Sequence, residues 1–170
     1  MHEAQALLLI GIYGSGKTTV AEEVAGLLEG RGEPFAAIDL DWLAWSNVPG
    51  AGHASHDVLA RNLAAVAGTY LAAGALRLVV AGSVTERATL AALRDALGVP
   101  LTVIRLRAPI TVIEARLAGA PTSGRADDLA AAREAFATET ATGLEDAVVD
   151  NVGPIRDTAL AVLRAAGWAA

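Results

Sequence analysis

Eight consecutive residues, Gly11-Ile12-Tyr13-Gly14-Ser15-Gly16-Lys17-Thr18, carry the densest chemistry in the chain. They meet the spacing G-x-x-x-x-G-K-[ST]. Glycines let the backbone curl until several N–H groups converge on one anion. A helix opening at the lysine adds the positive end of its dipole. The expected ligand is a run of phosphates. Lys17 should reach the β- and γ-groups and the Thr18 hydroxyl should ligate Mg²⁺, with Gly11, Tyr13, Gly14, Ser15, Gly16 and Thr19 completing the cradle. Lys17 is the only lysine in the sequence, and the other 12 cationic side chains are arginines. Its compact ammonium stands where a point charge must fit between phosphates.

Asp39 and Asp41 come next. A hydroxyl that attacks phosphorus must lose its proton, and a carboxylate is the usual acceptor. If both residues are extended, strand alternation puts them on the same side. Alternatively, one of them caps the following helix. Trp42 and Trp45 are three apart, so a helical turn sets them on one face. There they form either an apolar wall for a ring-bearing substrate or ordinary core. Arg61 is either a clamp for an acidic group on that substrate or a solvated helix residue; Asn62 follows it. His53 and His56 have no third ligand in view and read as loop residues rather than a metal site.

The elements that must position these groups can be read from the apolar pattern. Residues 5–10 form a short continuous apolar run, as a buried central strand does. A helix is expected from 16 to 30, with Gly30 and Gly32 ending it. A strand over 35–38 should end at Asp39, and 46–55, rich in Gly, Pro and His, should be a loop. A helix over 57–74 carries the face Leu59, Leu63, Val66 and Tyr70. Then come a strand at 76–81, a helix at 85–97 closed by Gly98, and a strand at 101–106. Pro109 should open a helix at 110–117. A loop at 119–127, a helix at 128–142, a strand at 147–149 and a helix from Pro154 to 166 complete the chain. Five strand–helix alternations predict an α/β fold of three layers, a five-stranded parallel sheet covered by helices on both faces. With 170 residues, 54% of them apolar, the chain suits one domain over 1–170, with residues 119–127 as a lid.

Composition narrows the partners. A formal charge of −6 argues against nucleic acid. The absence of cysteine excludes disulfides and thiolate chemistry. The apolar run near the N-terminus is too short for a signal peptide or a membrane span, so a cytoplasmic protein with no membrane partner is expected.

On its phosphate-binding motif and short length, the chain resembles the small-molecule kinases of the P-loop class. These are the adenylylsulfate, shikimate and gluconate kinases, the chloramphenicol phosphotransferase type and the nucleoside monophosphate kinases. The resemblance implies ATP and Mg²⁺ as cofactors and a small-molecule hydroxyl as acceptor. It implies an acid after the second strand that is general base or holds Mg²⁺ through water; Asp39 is favoured for this and Asp41 for contact with the acceptor, with the choice between them open, and Trp42 and Arg61 lie in the segment 41–62 expected to hold that acceptor. Arg116 and Arg125 would close over the nucleotide, with Arg125 acting on the transferring group. The segment 149–154, including Asn151, would border the adenine.

Two departures matter. The third strand ends Val79-Val80-Ala81-Gly82-Ser83 without the Walker-B aspartate that many ATPases use for Mg²⁺, which throws weight onto Asp39. No guanine-recognition signature of the Asn-Lys-x-Asp type is present. Ser83, Thr85, Glu86 and Arg87 follow that strand, at the sheet end where α/β folds bind ligands. The leading expectation is therefore an ATP-dependent phosphotransferase acting on a small molecule. The alternative is an ATP-binding sensor without turnover; a nucleic-acid end kinase is disfavoured by the charge.

Overall fold

The structure, a computed structural model, describes residues 3–46, 56–119, 125–138 and 143–168. Strand β1 (Gln5–Ile10) has no polar face because both its faces are covered. Leu7 and Leu9 pack toward one side of the sheet, while Ala6, Leu8 and Ile10 pack toward the other. Helix α1 (Lys17–Gly30) follows, then β2 (Phe35–Asp39), a short helix α2 (Leu40–Ala44) and α3 (His56–Ala72). Next come β3 (Arg77–Ala81), α4 (Arg87–Leu97), β4 (Leu101–Arg107), α5 (Ile110–Gly119), α6 (Arg125–Thr138), β5 (Ala147–Asp150) and α7 (Ile155–Ala165).

The five strands run parallel in the order β2-β3-β1-β4-β5. Val20, Val24 and Leu28 of α1 meet Ala159, Val162 and Leu163 of α7 over one face. Leu63 and Ala67 of α3 meet Leu90, Leu93 and Leu97 of α4 over the other. Each fully buried leucine among them stabilises the fold by roughly 1.5–3 kcal/mol relative to exposure. This is the three-layer α/β architecture expected from the alternation. With β1 central, the loop after it opens at the middle of the sheet's carboxyl edge, where ligands bind in such folds.

At the opposite edge, Trp168 donates from Nε1 to Gln5 Oε1 (2.8 Å) and lies 5.3 Å beneath the Arg77 guanidinium. Arg31 Nη1 donates to the Trp168 carbonyl (3.0 Å), so Trp168 is stapled to β1, β3 and the turn after α1.

Three expectations need correction. Asp39 and Asp41 are not both extended: Asp39 ends β2 and Asp41 lies in the first turn of α2. Five residues are too few to show a helical period, so α2 left no signal in the apolar pattern. Arg125 is not in a loop but opens α6 (Arg125–Thr138), which begins at 125 instead of 128; residues 139–142 of the expected helix lie outside the described residues. No glycine or proline interrupts Arg125-Ala126-Asp127-Asp128, and acids suit a helix's first turn. Of the expected lid, 119 closes α5, 125–127 begin α6 and 120–124 lie outside the described residues. The expected loop at 46–55, with His53, likewise falls outside them from residue 47 onward.

Candidate active site

The loop after β1 turns into α1 through Gly16, which takes φ 95° and stands at the helix's N-cap position. A left-handed residue there costs glycine little. No side chain caps the first turn of α1 and no acid lies in it, so its N–H donors and dipole are left for an anion.

Lys17 is 8% exposed. Its ammonium donates to the loop carbonyls of Gly11 (3.0 Å) and Ile12 (3.2 Å), and so folds back over the loop that it serves. Burial pushes its pKa below the ordinary lysine value, and the charges of Asp41 and Asp39 partly oppose that shift. Beside it, the Thr18 hydroxyl donates to Asp39 Oδ2 (3.2 Å). The other oxygen of Asp39 accepts the Asp41 N–H (2.8 Å) and caps α2. Asp39 is thus both the cap and the acid nearest the Thr18 hydroxyl. Asp41 has its carboxyl pKa raised, first by desolvation and then by Asp39, with Lys17 pulling the other way. One cation and two carboxylates therefore face one another across the strand ends of β1 and β2.

Lys17, Thr18 and Asp41, but not Asp39, border a cavity of about 530 Å³, a size typical of small-molecule sites. Tyr13, Gly14, Gly16, Lys17, Thr18, Thr19 and Asp41 line one wall. Arg116, Leu117, Asn151, Gly153 and Ile155 line the other. Leu117 and Ile155 were not expected: each is one apolar residue at a helix end, and nothing in the sequence marks such a residue as lining. Arg116 Nη1 donates to the Ser15 carbonyl (3.2 Å) and its Nη2 to the Asn151 carbonyl (2.8 Å). Gly11 and Ser15 support the loop from beneath, where Ser15 is fully buried.

The residues expected to meet the acceptor fall outside that lining, except for Asp41. Trp42 and Trp45 are 69% and 70% exposed, so they are not core, and their rings stack at 5.2 Å between centroids with planes 25° apart. The close approach of α2 depends on Gly82, where an added Cβ would lie 2.7 Å from the Leu40 Cβ. Asn62 Nδ2 donates to the Leu43 carbonyl (2.9 Å) and ties α2 to α3. Arg61 is exposed and turns its Nε onto the Asp57 carbonyl of its own helix (3.2 Å). Arg125 is placed only as the first residue of α6.

The oxygens of Thr18 and Asp39 suit Mg²⁺, which takes one or two protein oxygens and completes its shell with phosphates and water. Among the described residues no cluster of three or more His, Cys, Asp or Glu side chains forms an all-protein metal cage. The uncapped start of α1, the glycines and Lys17 suit a polyphosphate. No helix among the described residues is long and apolar enough to cross a membrane.

No protein-family model and no curated protein sequence matches this chain. Solved structures do. A sugar kinase from Janibacter sp. HTCC2649, unliganded, superposes with a TM-score of 0.64 at 21% identity, over 98% of this chain and 96% of that one. A shikimate kinase from Acinetobacter baumannii, in complex with shikimate, gives 0.60 at 21% identity, over 96% and 93%. The Mycobacterium tuberculosis APS kinase, in complex with AMPPNP and APS, gives 0.61 at 20% identity, over 98% and 99%. All three cover nearly the whole of both chains, so the likeness is one of overall fold, a parallel sheet with helices on both sides. The fold of this chain is that of the P-loop small-molecule kinases.

Proposed function

We propose that the protein is an ATP-dependent phosphotransferase that moves the γ-phosphate to a hydroxyl of a small molecule. The observation that carries the reading is the Thr18–Asp39 contact of 3.2 Å beside the buried Lys17. It joins a phosphate-binding loop to a carboxylate at the tip of the neighbouring segment. Mg·ATP, when bound, supplies a phosphoryl group whose charge is already partly neutralised.

The chain's own residues do the rest. Lys17 leaves the Gly11 and Ile12 carbonyls for the β- and γ-phosphates, and the N–H groups at the start of α1 hold the same anion. Thr18, and Asp39 through water, would hold Mg²⁺. Asp39 or Asp41 takes the acceptor's proton as its oxygen attacks phosphorus. The raised pKa of Asp41 brings it nearer the operating pH, as suits a base, while the Thr18 contact suits Asp39 to the metal. Arg116 and Arg125 neutralise charge on the transferring group, and Leu117, Gly153 and Ile155 offer the base an apolar slot.

On the acceptor side, the stacked Trp42–Trp45 pair offers a face for a ring-bearing molecule. Two carboxylates stand next to that pair in sequence, and they disfavour an anionic acceptor.

The test is phosphoryl transfer from γ-labelled ATP with Mg²⁺ to pooled hydroxyl compounds. Labelled product that needs both a pool and Lys17 supports the reading. Asp39→Asn separates a kinase from a sensor: a kinase loses turnover and keeps nucleotide binding, whereas a sensor has no turnover to lose.

A further inference from the structure

The side chain of Asn151 reaches across 136 positions of sequence to the phosphate-binding loop, where Nδ2 donates to the Ser15 carbonyl at 2.8 Å. Asn151 is 1% exposed and each of its polar groups is engaged. Its N–H donates to the Arg107 carbonyl (2.8 Å), and its own carbonyl accepts from Arg116 Nη2 (2.8 Å). Oδ1 accepts from the Thr158 hydroxyl on α7 (3.1 Å). The orientation of the amide follows from chemistry. A backbone carbonyl only accepts, so the NH₂ must face Ser15, which leaves Oδ1 for the Thr158 hydroxyl.

The Ser15 carbonyl takes a second donor, Arg116 Nη1 (3.2 Å). The described chain has no cis peptide bond. In a trans peptide the N–H points opposite to the C=O. With the Ser15 carbonyl held against Asn151 and Arg116, the Gly16 N–H is therefore turned the other way. A glycine accepts either sign of φ, so a Ser–Gly peptide in a free loop is easily reversed. Here Gly16 sits at φ 95°, and a Cβ added to it would come within 2.5 Å of Asn151 Nδ2. The brace fills the space that a side chain would need.

We propose that Asn151, anchored by Thr158, is a positioning residue for the loop: it locks the Ser15–Gly16 peptide with the Gly16 N–H turned toward the phosphates, so that the anion cradle is formed before nucleotide arrives. This deepens the reading of the loop as a nucleotide-phosphate site and rests on it. It assigns the Asn151 side chain to the loop rather than to the base. Preorganised donors bind more tightly because the cost of ordering them is met in folding.

The experiment measures binding of Mg·tripolyphosphate, Mg·ATP and adenosine to the full chain, separately for each variant. Asn151→Ala removes the donor. Asn151→Asp sets a carboxylate against the Ser15 carbonyl. Thr158→Val deletes the anchor at nearly constant shape, and Thr158→Ser restores it. Tripolyphosphate and ATP should bind about 10-fold more weakly to Asn151→Ala and more weakly still to Asn151→Asp. Thr158→Val should lose a few-fold, Thr158→Ser should recover it, and adenosine affinity should stay at the wild-type value throughout. If Asn151→Ala fails to fold, the Thr158 pair gives the same split. The opposite split, adenosine affinity lost and tripolyphosphate affinity kept, overturns the inference in favour of a contact with the base. Unchanged affinity for all three with a lowered Tm overturns it in favour of a purely structural asparagine. Wild-type protein that binds neither ATP nor tripolyphosphate overturns the nucleotide reading itself, and this inference with it.

Discussion

On the proposed phosphate side of the cavity, Asn151, Arg116 and Lys17 all donate to carbonyls of one loop. Outside that cavity, on the proposed acceptor side, Trp42 in the five-residue helix α2 and Trp45 just past its end stand mostly in solvent, beside the Asp39 cap and the Asn62 tether. Under the proposed function the difference follows from what each side would recognise. A polyphosphate is the same in every nucleotide, so a rigid cradle with preset donors suits it. An acceptor varies from one enzyme of this fold to another, and a short, peripheral helix can change its side chains without disturbing the sheet.

The largest effect should come from Lys17→Ala. Removing the only lysine should lower phosphotransfer on the order of 10³-fold or more, since it takes a preset charge from the transferring group. Near-wild-type turnover would mean that the braced side is not where the chemistry lies. Asp39→Asn comes next, with turnover falling about 10²–10⁴-fold if it is the base. Its nucleotide affinity should change far less in a titration without acceptor. An equal loss of both would place Asp39 wholly on the phosphate side.

Trp42→Ala tests the open side alone. An aromatic ring buried by substrate is worth roughly 1.5–3 kcal/mol, so KM for the acceptor should rise on the order of 10-fold while KM for ATP is unmoved. A change in the ATP value instead would erase the division between the two sides.

The smallest effect concerns Asp41. Its folded-state pKa lies above the ordinary 3.8, chiefly through desolvation and then through Asp39. Below 3.8 the carboxyl is protonated in both the folded and unfolded chain and costs nothing. As pH rises through the folded value, the charge forms against that environment and stability is lost. Asp41→Asn should therefore raise Tm near neutral pH by on the order of 1–2 °C, a gain kept small by solvent screening and fading as pH falls toward 3.8. A gain of the same size at every pH would show that charge is not its source.

The same division governs what could be read from sequence. Gly11 to Thr18 are contiguous, so the motif and the strand and helix on either side of it announce the phosphate side directly. The sheet was legible because β1 and β3 are buried, mostly apolar runs of ordinary length and β4 alternates apolar residues with Thr102 and Arg105. Asp39 could be placed because it ends β2, and its capping role was one of two readings the sequence left open. What stayed hidden depends on pairs far apart in the chain or on elements too short for a period. The amide of Asn151 finds Ser15 only because β5 lies beside β4 and β4 beside β1. Helix α2 has little more than one turn, which left the Trp42–Trp45 pair suspended between core and surface until the fold placed it. The start of α6 at Arg125 was missed because the glycine, proline and serine before it read as a longer loop than the helix allows.

The most direct test of the account is ADP release with Mg·ATP against separate pools of sugars, nucleosides, nucleotides, hydroxy acids and ring-bearing antibiotics, with Lys17→Ala run beside every pool. The account predicts release that requires both a pool and Lys17, strongest where the acceptor carries a ring and no negative charge. Release that is the same with no acceptor present, or that persists undiminished in Lys17→Ala, would contradict it.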